Sequence, residues 1–473
     1  MGMPTAEGDG VSMSTKRHAK RRKLLIVSTV VVVVALTAGI ATGCAGKKNT
    51  TVGNLKPNVE KSTVTPAVDR FGIVKADQWK DIYPYEYQSY LKNDANMPGD
   101  YTSDDDTTTP YDSSKPADPN PAFSNGKADY LEMYPEIKTL GLGYGYAKYY
   151  TEPGGHTYSL WTVTHNGRVN ENTKAGCIAC KTPQFSSQVD EQGDSIFQEN
   201  FWDLVTQYDE NISCASCHGN DPMTLEVDRA DWKRAMGPDA DTYSLNGQVC
   251  GQCHCDYSMY PGTGVPTSPY DGTGVSAMTP DNALAWYDAN MPNGDWTYAS
   301  TGAKMIAVRH AEYEFNYGGE GNHMTNLGYD CNDCHMAVTK ADDGTVYTSH
   351  YWTNPTDNDE LIKNNCSTCH ADIKAEVKSW QDQVDGRTHL VGLRAEQFIH
   401  NFEGAIAAGT LTDEQVSRLQ YIQRASCYYW NFVAAENSEG AHNPTLSNNT
   451  LDSADALLDE GDQILGVSSV VES

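Results

Sequence analysis

Basic residues are scarce in this 473-residue chain: 34 lysines and arginines stand against 63 aspartates and glutamates, for a formal net charge of −29. Residues 1–43 contain six basic and two acidic side chains, so the rest of the chain carries −33. A surface of this sign repels polyanions, which excludes nucleic acid as a partner and indicates a well-solvated exterior. A small anionic substrate would need a local positive site, because the overall field repels it.

Strand-like alternation of apolar and polar residues is also missing, whereas helical spacing recurs in the C-terminal third. Apolar residues return every three or four positions between Ile373 and Gly409, and Thr412 to Gln415 form a capping box that opens a further helix. The compositions of 99–126 and 256–300 predict exposed loops. We expect a mainly α fold with little β structure and long C-terminal helices, which either form a dimer interface or pack against their own domain.

One long apolar run, from Leu24 to Gly43, follows a basic stretch that begins at Lys16. Its 20 residues could span a bilayer, and the preceding basic residues keep that end cytoplasmic, so the remainder is exported. The segment ending at Cys44 resembles a bacterial lipoprotein cleavage box, although Ala41 stands where leucine is usual. We predict a signal or membrane anchor over 1–43, followed by lipidation at Cys44, an uncleaved anchor or simple cleavage. After this segment we predict a polar tether over 44–68 and one cofactor-filled domain over 69–473. The domain would lie at the outer face of the cytoplasmic membrane.

Ten of the thirteen cysteines form five C-x-x-C pairs. Four pairs are closed by histidine: Cys214/Cys217 with His218, Cys250/Cys253 with His254, Cys331/Cys334 with His335, and Cys366/Cys369 with His370. The fifth pair, Cys177/Cys180, is closed by Lys181. Zinc knuckles, thioredoxin-like pairs and disulfides do not require a histidine at that position, whereas covalent attachment of c-type haem does, because this histidine ligates the iron. The pattern predicts four c-type haems and, by association, a fifth at Cys177/Cys180.

Two cysteines remain once Cys44 and the five pairs are set aside. Cys255 directly follows a predicted haem ligand, and Cys427 lies in the helical C-terminal third. In an oxidising compartment they could pair with each other, and simple burial is an equal alternative for Cys255. The sequence leaves both open.

The histidine count permits one haem with an open face. Five irons have ten axial positions, and the motifs supply five ligands. Apart from His18 and the motif histidines, eight remain: His156, His165, His310, His323, His350, His389, His400 and His442. Four bis-histidine haems consume four of these, and five closed haems are also possible. With an empty distal position, a haem ligated by the deprotonated amine of Lys181 becomes a substrate site. The alternative is a surface lysine whose haem takes another ligand.

These motifs resemble the pentahaem, ammonia-forming cytochrome c nitrite reductases, whose signature is one C-x-x-C-K among four C-x-x-C-H. The resemblance covers about residues 70–450 and includes the segments 83–92, 144–148, 152–156 and 310–314. It implies a multihaem cytochrome c fold packed around five covalently bound haem c groups. It also implies six-electron reduction of nitrite to ammonium, a homodimer, and a membrane-bound, quinol-oxidising multihaem cytochrome as electron donor.

The resemblance further implies roles for single residues. By position, the distal iron ligands are His350 for the second haem, His156 for the third, His442 for the fourth and His323 for the fifth. The catalytic residues are Arg168, Tyr257 and His310, beside Lys181. Arg168 and His310 would hydrogen-bond the nitrite oxygens and supply protons, and Tyr257 would donate a proton or hydrogen atom. Three histidines keep no role: His165, His389 and His400.

The family commonly places a calcium ion beside the active site, held by a glutamate, the tyrosine carbonyl and a Lys-x-Gln pair. The corresponding positions here are Asp256, Tyr257, Ala307 and Arg309. The Arg309 guanidinium brings a permanent positive charge to a position where calcium needs a neutral oxygen ligand. We therefore predict that this site is independent of calcium.

Two other functions compete with nitrite reduction. The first is a membrane-anchored multihaem electron conduit in which the Lys181 haem is closed. The second is a related multihaem enzyme that reduces sulfite or oxidises hydroxylamine.

Overall fold

The computed structural model describes residues 56–96, 130–148, 150, 155–165 and 168–469. The predicted signal or anchor over 1–43, the lipidation candidate Cys44 and the loop predicted over 99–126 lie outside these residues. Among the helices described, none is long and apolar enough to cross a membrane.

Helices dominate the fold, which confirms the mainly α prediction. The α-helices are α1 (Pro84–Leu91), α2 (Tyr130–Met133), α3 (Ile137–Leu140), α4 (Ser159–Thr164), α5 (Pro183–Gln192), α6 (Phe201–Val205), α7 (Ala215–His218), α8 (Ala230–Met236), α9 (Leu245–Gly251), α10 (Pro280–Asn290), α11 (Glu312–Tyr317), α12 (His323–Asn326), α13 (Cys331–His335), α14 (Asp359–Asn364), α15 (Ile373–Ala408), α16 (Asp413–Ala434) and α17 (Pro444–Leu465). Short 3₁₀ helices cover Ala76–Trp79, Lys92–Asn96, Gly145–Ala147, His156–Tyr158, Ala175–Ile178, Gly193–Gln198, Gly237–Asp239, Val275–Ala277, Pro355–Asp357 and Cys366–Thr368.

The β structure of the described residues consists of three antiparallel pairs of very short strands. These are β1 (Ser258–Met259) with β2 (Pro266–Thr267), β3 (Trp296–Thr297) with β4 (Lys304–Met305), and β5 (Val338–Lys340) with β6 (Val346–Thr348). Two or three residues per strand are too few to form a core, so helices and their side chains carry the packing.

The ends of the long C-terminal helices follow the local signals in the sequence. Helix α15 ends at Gly409, whose φ of 63° lies in the left-handed region that glycine adopts at low cost. Helix α16 begins with the predicted capping box: the Thr412 hydroxyl accepts from the Gln415 amide at 3.2 Å, and the Gln415 side chain accepts from the Thr412 amide at 2.9 Å.

Helices α15, α16 and α17 pack against one another and against their own domain. Their buried apolar residues, such as Phe398, Ile422 and Leu451, belong to the largest core of the described chain. The buried guanidinium of Arg394 on α15 donates to Asp455 and Asp459 on α17, both at 2.7 Å. Packing within the domain is thus observed, and the dimer interface stays a prediction.

The exposed loop predicted over 256–300 was wrong in part. Helix α10 lies inside it, with Pro280 at its start and the Thr279 hydroxyl accepting from the Asn282 amide at 3.3 Å. The side chains of Tyr270 and Tyr287 in this region are fully buried. The glycines that suggested a loop have positive φ angles between short elements, while Tyr270 and Tyr287 fill the core.

Residues 56–68, part of the predicted tether, contain no helix or strand but lie against the domain. The Asn58 amide donates to the Val346 carbonyl at 2.9 Å, and the Val346 amide donates back to the Asn58 side chain at 2.6 Å. The Ser62 amide donates to the Tyr83 hydroxyl at 2.9 Å. Val59 packs on the small core beside Tyr83. The domain boundaries themselves stay predictions.

Candidate active site

A cavity of about 2270 Å³ runs through the domain. Ligand pockets for ordinary small molecules measure about 300–1,000 Å³, so this cavity suits a much larger occupant. Its walls contain the predicted axial ligands and nine of the ten motif cysteines, all but Cys177. The axial ligands are Lys181, His218, His254, His335 and His370 from the motifs, and His156, His323, His350 and His442 from elsewhere. The three histidines without a predicted role are not in its walls.

Three histidine pairs lie at the spacing of two ligands on one metal ion. An imidazole nitrogen lies about 2 Å from the metal ion it binds. It lies about 1.2 Å from the centre of its own ring, because the ring bonds are about 1.3 Å long. Two imidazoles on opposite sides of one metal ion therefore have ring centres about 6.3 Å apart. The observed separations of ring centres are 6.2 Å for His218 and His350, 6.4 Å for His156 and His254, and 6.1 Å for His335 and His442. These are three of the four pairs that the resemblance implies.

The fourth implied pair is not brought together in the same way. His323 and His370 line the same cavity, but their two imidazole rings are not in contact with each other.

In most of these histidines, one ring nitrogen is hydrogen-bonded to another protein group. Nδ1 faces an acceptor in five cases: Thr224 O for His218 (2.5 Å), Thr353 O for His335 (3.1 Å), Thr348 O for His350 (2.9 Å), Glu376 Oε2 for His370 (2.8 Å) and Glu436 Oε1 for His442 (2.6 Å). Carbonyl and carboxylate oxygens accept, so Nδ1 carries the proton and Nε2 is left as a metal ligand.

The attachment motifs lie next to one another along the cavity. The Cys180 and Cys253 side chains lie close enough to shift each other's thiol pKa, and so do those of Cys250 and Cys331. The third motif therefore adjoins both the Lys181 motif and the fourth motif. These motifs would hold their haems close to one another, which favours electron transfer between them.

Three of the predicted catalytic residues, Lys181, Tyr257 and His310, share the cavity wall. The Lys181 backbone is held by the Ser159 hydroxyl, which donates to its carbonyl at 2.6 Å. Tyr257 directly precedes β1, and His310 lies two residues before α11. Burial raises the pKa of the Tyr257 phenol well above its ordinary value, against the opposing charges of nearby arginines.

The fourth predicted catalytic residue, Arg168, is not in the cavity wall. Its guanidinium carbon lies 4.6 Å from the Tyr146 ring centre, a cation–π distance. A Cβ on Gly145 would lie 3.0 Å from the Arg168 Cγ, so glycine there permits the close approach.

Glu312 is a site residue to which the sequence analysis gave no role. Its two carboxylate oxygens lie 3.7 Å from Nδ1 of His254 and 3.7 Å from Nδ1 of His310. Burial alone would raise the pKa of the Glu312 carboxyl, but interaction with the two nearby histidines holds it below its usual range. The ligand atoms of these three residues all lie within 4.8 Å of one another. Because His254 is a predicted ligand of haem iron, a further metal ion there would compete for it, and we infer that Glu312 instead holds the two rings.

The Arg309 guanidinium contacts one other predicted member of the calcium-like site, the Ala307 carbonyl, and two residues that were not predicted. It donates to the Ala307 carbonyl at 2.7 Å, to the Asp295 carboxylate at 3.0 Å and to the Tyr144 hydroxyl at 2.7 Å. Its carbon lies 5.7 Å from the Tyr257 ring centre. The sequence predicted the cation but not Asp295, which lies fourteen residues away and has no motif of its own.

Asp256, the other predicted member of that site, is fully buried. Its carboxylate accepts from the hydroxyls of Tyr428 at 3.1 Å and Tyr287 at 3.3 Å. Burial raises the pKa of Asp256 to about 7, and the nearby charge of Arg309 opposes that rise. The carboxylate is thus hydrogen-bonded within the protein.

Comparison with known proteins gives a consistent result. The family model of cytochrome c552 matches residues 75–468. The chain is 30% identical over 418 residues to the cytochrome c nitrite reductase subunit NrfA of Nitratidesulfovibrio vulgaris strain Hildenborough, over 80% of this chain and 76% of that protein. It is 27% identical over 442 residues to cytochrome c-552 of Desulfotalea psychrophila, over 86% and 78% of the two chains.

Among solved structures, the cytochrome c nitrite reductase of Desulfovibrio desulfuricans is similar, with a TM-score of 0.68 and 25% identity. The similarity covers 83% of this chain and 86% of that one. The family predicted from the five attachment motifs is confirmed. This chain belongs to the cytochrome c552 family, which includes the cytochrome c nitrite reductases.

Proposed function

We propose that this chain reduces nitrite to ammonium at a lysine-ligated haem that receives electrons from four bis-histidine haems. The observation that carries the proposal is the single cavity that holds Lys181, Tyr257 and His310 in one wall with nine attachment cysteines and every predicted axial ligand. The overall reaction joins one nitrite, six electrons and eight protons to give one ammonium and two waters, which balances in atoms and charge.

The donor set of the cavity fits c-type haem. Free thiol pairs are present at four of the five motifs, and histidine rings stand at the separation that one iron requires. We infer that Lys181 and the four motif histidines are the proximal ligands, and that His350, His156, His442 and His323 are the distal ligands of the second to fifth haems. The bound haems would supply the electrons and an open iron beside Lys181.

The remaining roles are assigned as the resemblance implies, to Tyr257 and His310 in the cavity wall and to Arg168 outside it. Arg168 would attract and orient nitrite, because its guanidinium offers two hydrogen bonds and offsets the negative field of the protein. His310 would donate protons to the oxygens that leave as water, and Glu312 would hold its ring in position. Tyr257 would donate to the reduced nitrogen species. Its raised pKa keeps it protonated for that role.

The electron paramagnetic resonance (EPR) spectrum of the oxidised holoprotein tests this proposal. We expect one high-spin haem among five, a change in its signal when nitrite is added, and ammonium as product with a reduced dye. Wholly low-spin spectra that nitrite leaves unchanged, with no ammonium formed, would instead identify an electron conduit. Parallel assays with sulfite and hydroxylamine separate the related enzymes, which would turn over those compounds and not nitrite.

We also propose that the site works without calcium, since Arg309 already donates to the Ala307 carbonyl and pairs with Asp295. The holoprotein should keep its activity after chelation and gel filtration, with calcium far below one ion per chain by elemental analysis. In Arg309→Gln the two carboxylates Asp256 and Asp295 lose their cation, and added calcium should restore part of the lost activity. Stoichiometric calcium that survives chelation in the parent protein would contradict the proposal.

The cellular setting is proposed from the sequence and the resemblance. It comprises attachment to the outer face of the cytoplasmic membrane through Cys44 or an N-terminal span, a quinol-oxidising multihaem cytochrome as donor, and a homodimer. Light scattering of the exported domain tests the last of these, and a monomer at micromolar concentration would contradict it.

A further inference from the structure

Arg229, which has no role in the reaction as described so far, is buried in the wall of the haem cavity. The residue is 5% exposed, and it stands immediately before α8. Its guanidinium forms a two-pronged pair with Asp231, Nε to Oδ1 at 3.1 Å and Nη2 to Oδ2 at 2.5 Å. Such a pair holds the guanidinium plane in one orientation.

The remaining nitrogen of this guanidinium points to the Lys181 motif. Nη1 donates to the sulfur of Cys180, the residue directly before Lys181. The guanidinium carbon also lies 5.6 Å from the ring centre of Tyr257, within the range of a cation–π contact. One cation thus contacts both the attachment point of the predicted catalytic haem and a predicted proton donor.

The backbone of Arg229 is tied to another haem motif. Gln252, between the two cysteines of the third motif, accepts through its side-chain oxygen from the amides of Asp228 at 2.8 Å and Arg229 at 3.1 Å. Arg229 is therefore held by three residues. Gln252 accepts from its backbone amide, Asp231 accepts from Nε and Nη2, and Cys180 accepts from Nη1. Nothing about this arrangement resembles a solvated surface arginine.

We propose that Arg229 is a positioning residue of the nitrite site. It sets the position of Tyr257 and raises the reduction potential of the Lys181 haem by holding a permanent positive charge at its attachment edge. A nearby positive charge favours the reduced iron, which carries one positive charge fewer than the oxidised iron. Arginine suits this role because it stays protonated when buried. The inference rests on the proposed function, since it concerns the same haem.

The test is a redox titration of the holoprotein, monitored by EPR and absorbance without nitrite. In Arg229→Met the midpoint potential of the high-spin haem should fall, while the four low-spin haems shift less. In Asp231→Asn it should rise, because the guanidinium loses the negative charge that opposes it. Arg234→Met is the matched control: Arg234 lies on α8, which begins directly after Arg229, is exposed, and pairs with Asp271 only at 3.6 Å.

The positioning role is tested separately by Arg229→Lys, which keeps the charge but loses the fork to Asp231. Its midpoint potential should stay close to that of the parent. Its kcat should fall about tenfold, the size of one hydrogen bond to a charged group, with KM for nitrite unchanged. Haem content is measured in every variant, and five haems per chain show that each is intact.

The outcomes separate this inference from the proposed function. If the parent protein forms no ammonium, the proposed function is wrong whatever the potentials are. If the parent forms ammonium and Asp231→Asn and Arg229→Met both titrate at the parental potential, the inference is wrong and nitrite reduction stands. If Arg229→Met does not assemble with five haems, the opposite-sign shift of Asp231→Asn decides, and an unchanged or lowered potential there overturns the inference.

Discussion

Replacing His310 by asparagine is expected to lower nitrite-dependent turnover about 10²- to 10⁴-fold, the contribution typical of a positioned general acid. Asparagine retains a hydrogen-bond donor, so it can still orient nitrite, but it has no proton to release. His310 shares the cavity wall with Lys181 and Tyr257, and Glu312 approaches its Nδ1 at 3.7 Å. The loss should therefore lie in kcat more than in KM.

The measurement is steady-state ammonium formation with a reduced dye, at equal haem content. The control is His165→Asn, because His165 is exposed, lies outside the cavity walls and hydrogen-bonds the Trp161 carbonyl through Nδ1 at 2.9 Å. That variant should keep parental turnover. Parental turnover in His310→Asn would remove this residue from the mechanism.

Replacing Lys181 by histidine should leave five haems attached but lower turnover about 10- to 100-fold, the cost typical of disturbing a metal's ligand environment. Attachment survives because the motif becomes a regular C-x-x-C-H. Turnover falls because an imidazole differs from an amine in donor strength and in reach. The backbone cannot shift freely to compensate, since the Ser159 hydroxyl donates to the Lys181 carbonyl at 2.6 Å.

Haem content by absorbance of the pyridine complex and ammonium formation together check this prediction. Lys174→His serves as the control, because Lys174 is a nearby exposed lysine whose amine donates to the Gln198 carbonyl. It should behave as the parent. If Lys181→His were fully active, the lysine would be incidental to the chemistry, and the odd motif would need another explanation.

The parts of the fold that were predictable from sequence are those set by neighbouring residues. The end of α15 at Gly409 and the start of α16 at Thr412 depend on a left-handed glycine and on a capping box four residues long, and both signals are local. Helix α10 was missed because the average composition of 256–300 concealed an ordinary helix start at Thr279 and Pro280. Composition describes a segment, whereas packing depends on each side chain.

In the candidate site, too, the predictable residues are those that belong to local sequence patterns. Attachment cysteines and motif histidines are local patterns, and the resemblance located residues far from them, such as His350 and His442. Asp295, Arg229 and Glu312 were missed as site residues because their roles arise only from contacts across the fold. Arg309 was predicted as a cation near Tyr257, but its partners Asp295 and Tyr144 became evident only from the folded chain.

The contacts between cysteines of different motifs have a consequence for biogenesis. Cys180 is a neighbour of Cys253, and Cys250 is a neighbour of Cys331, so each of these thiols adjoins a thiol of another motif. In an oxidising compartment, neighbouring thiols can form disulfides, and a cross-motif disulfide removes one thiol from each of two haem sites. We therefore expect haem ligation to precede folding, with the cofactors acting as blocking groups that prevent mispairing. When haem supply is limiting, the main by-product should be compact chains with cross-motif disulfides rather than partly filled enzyme.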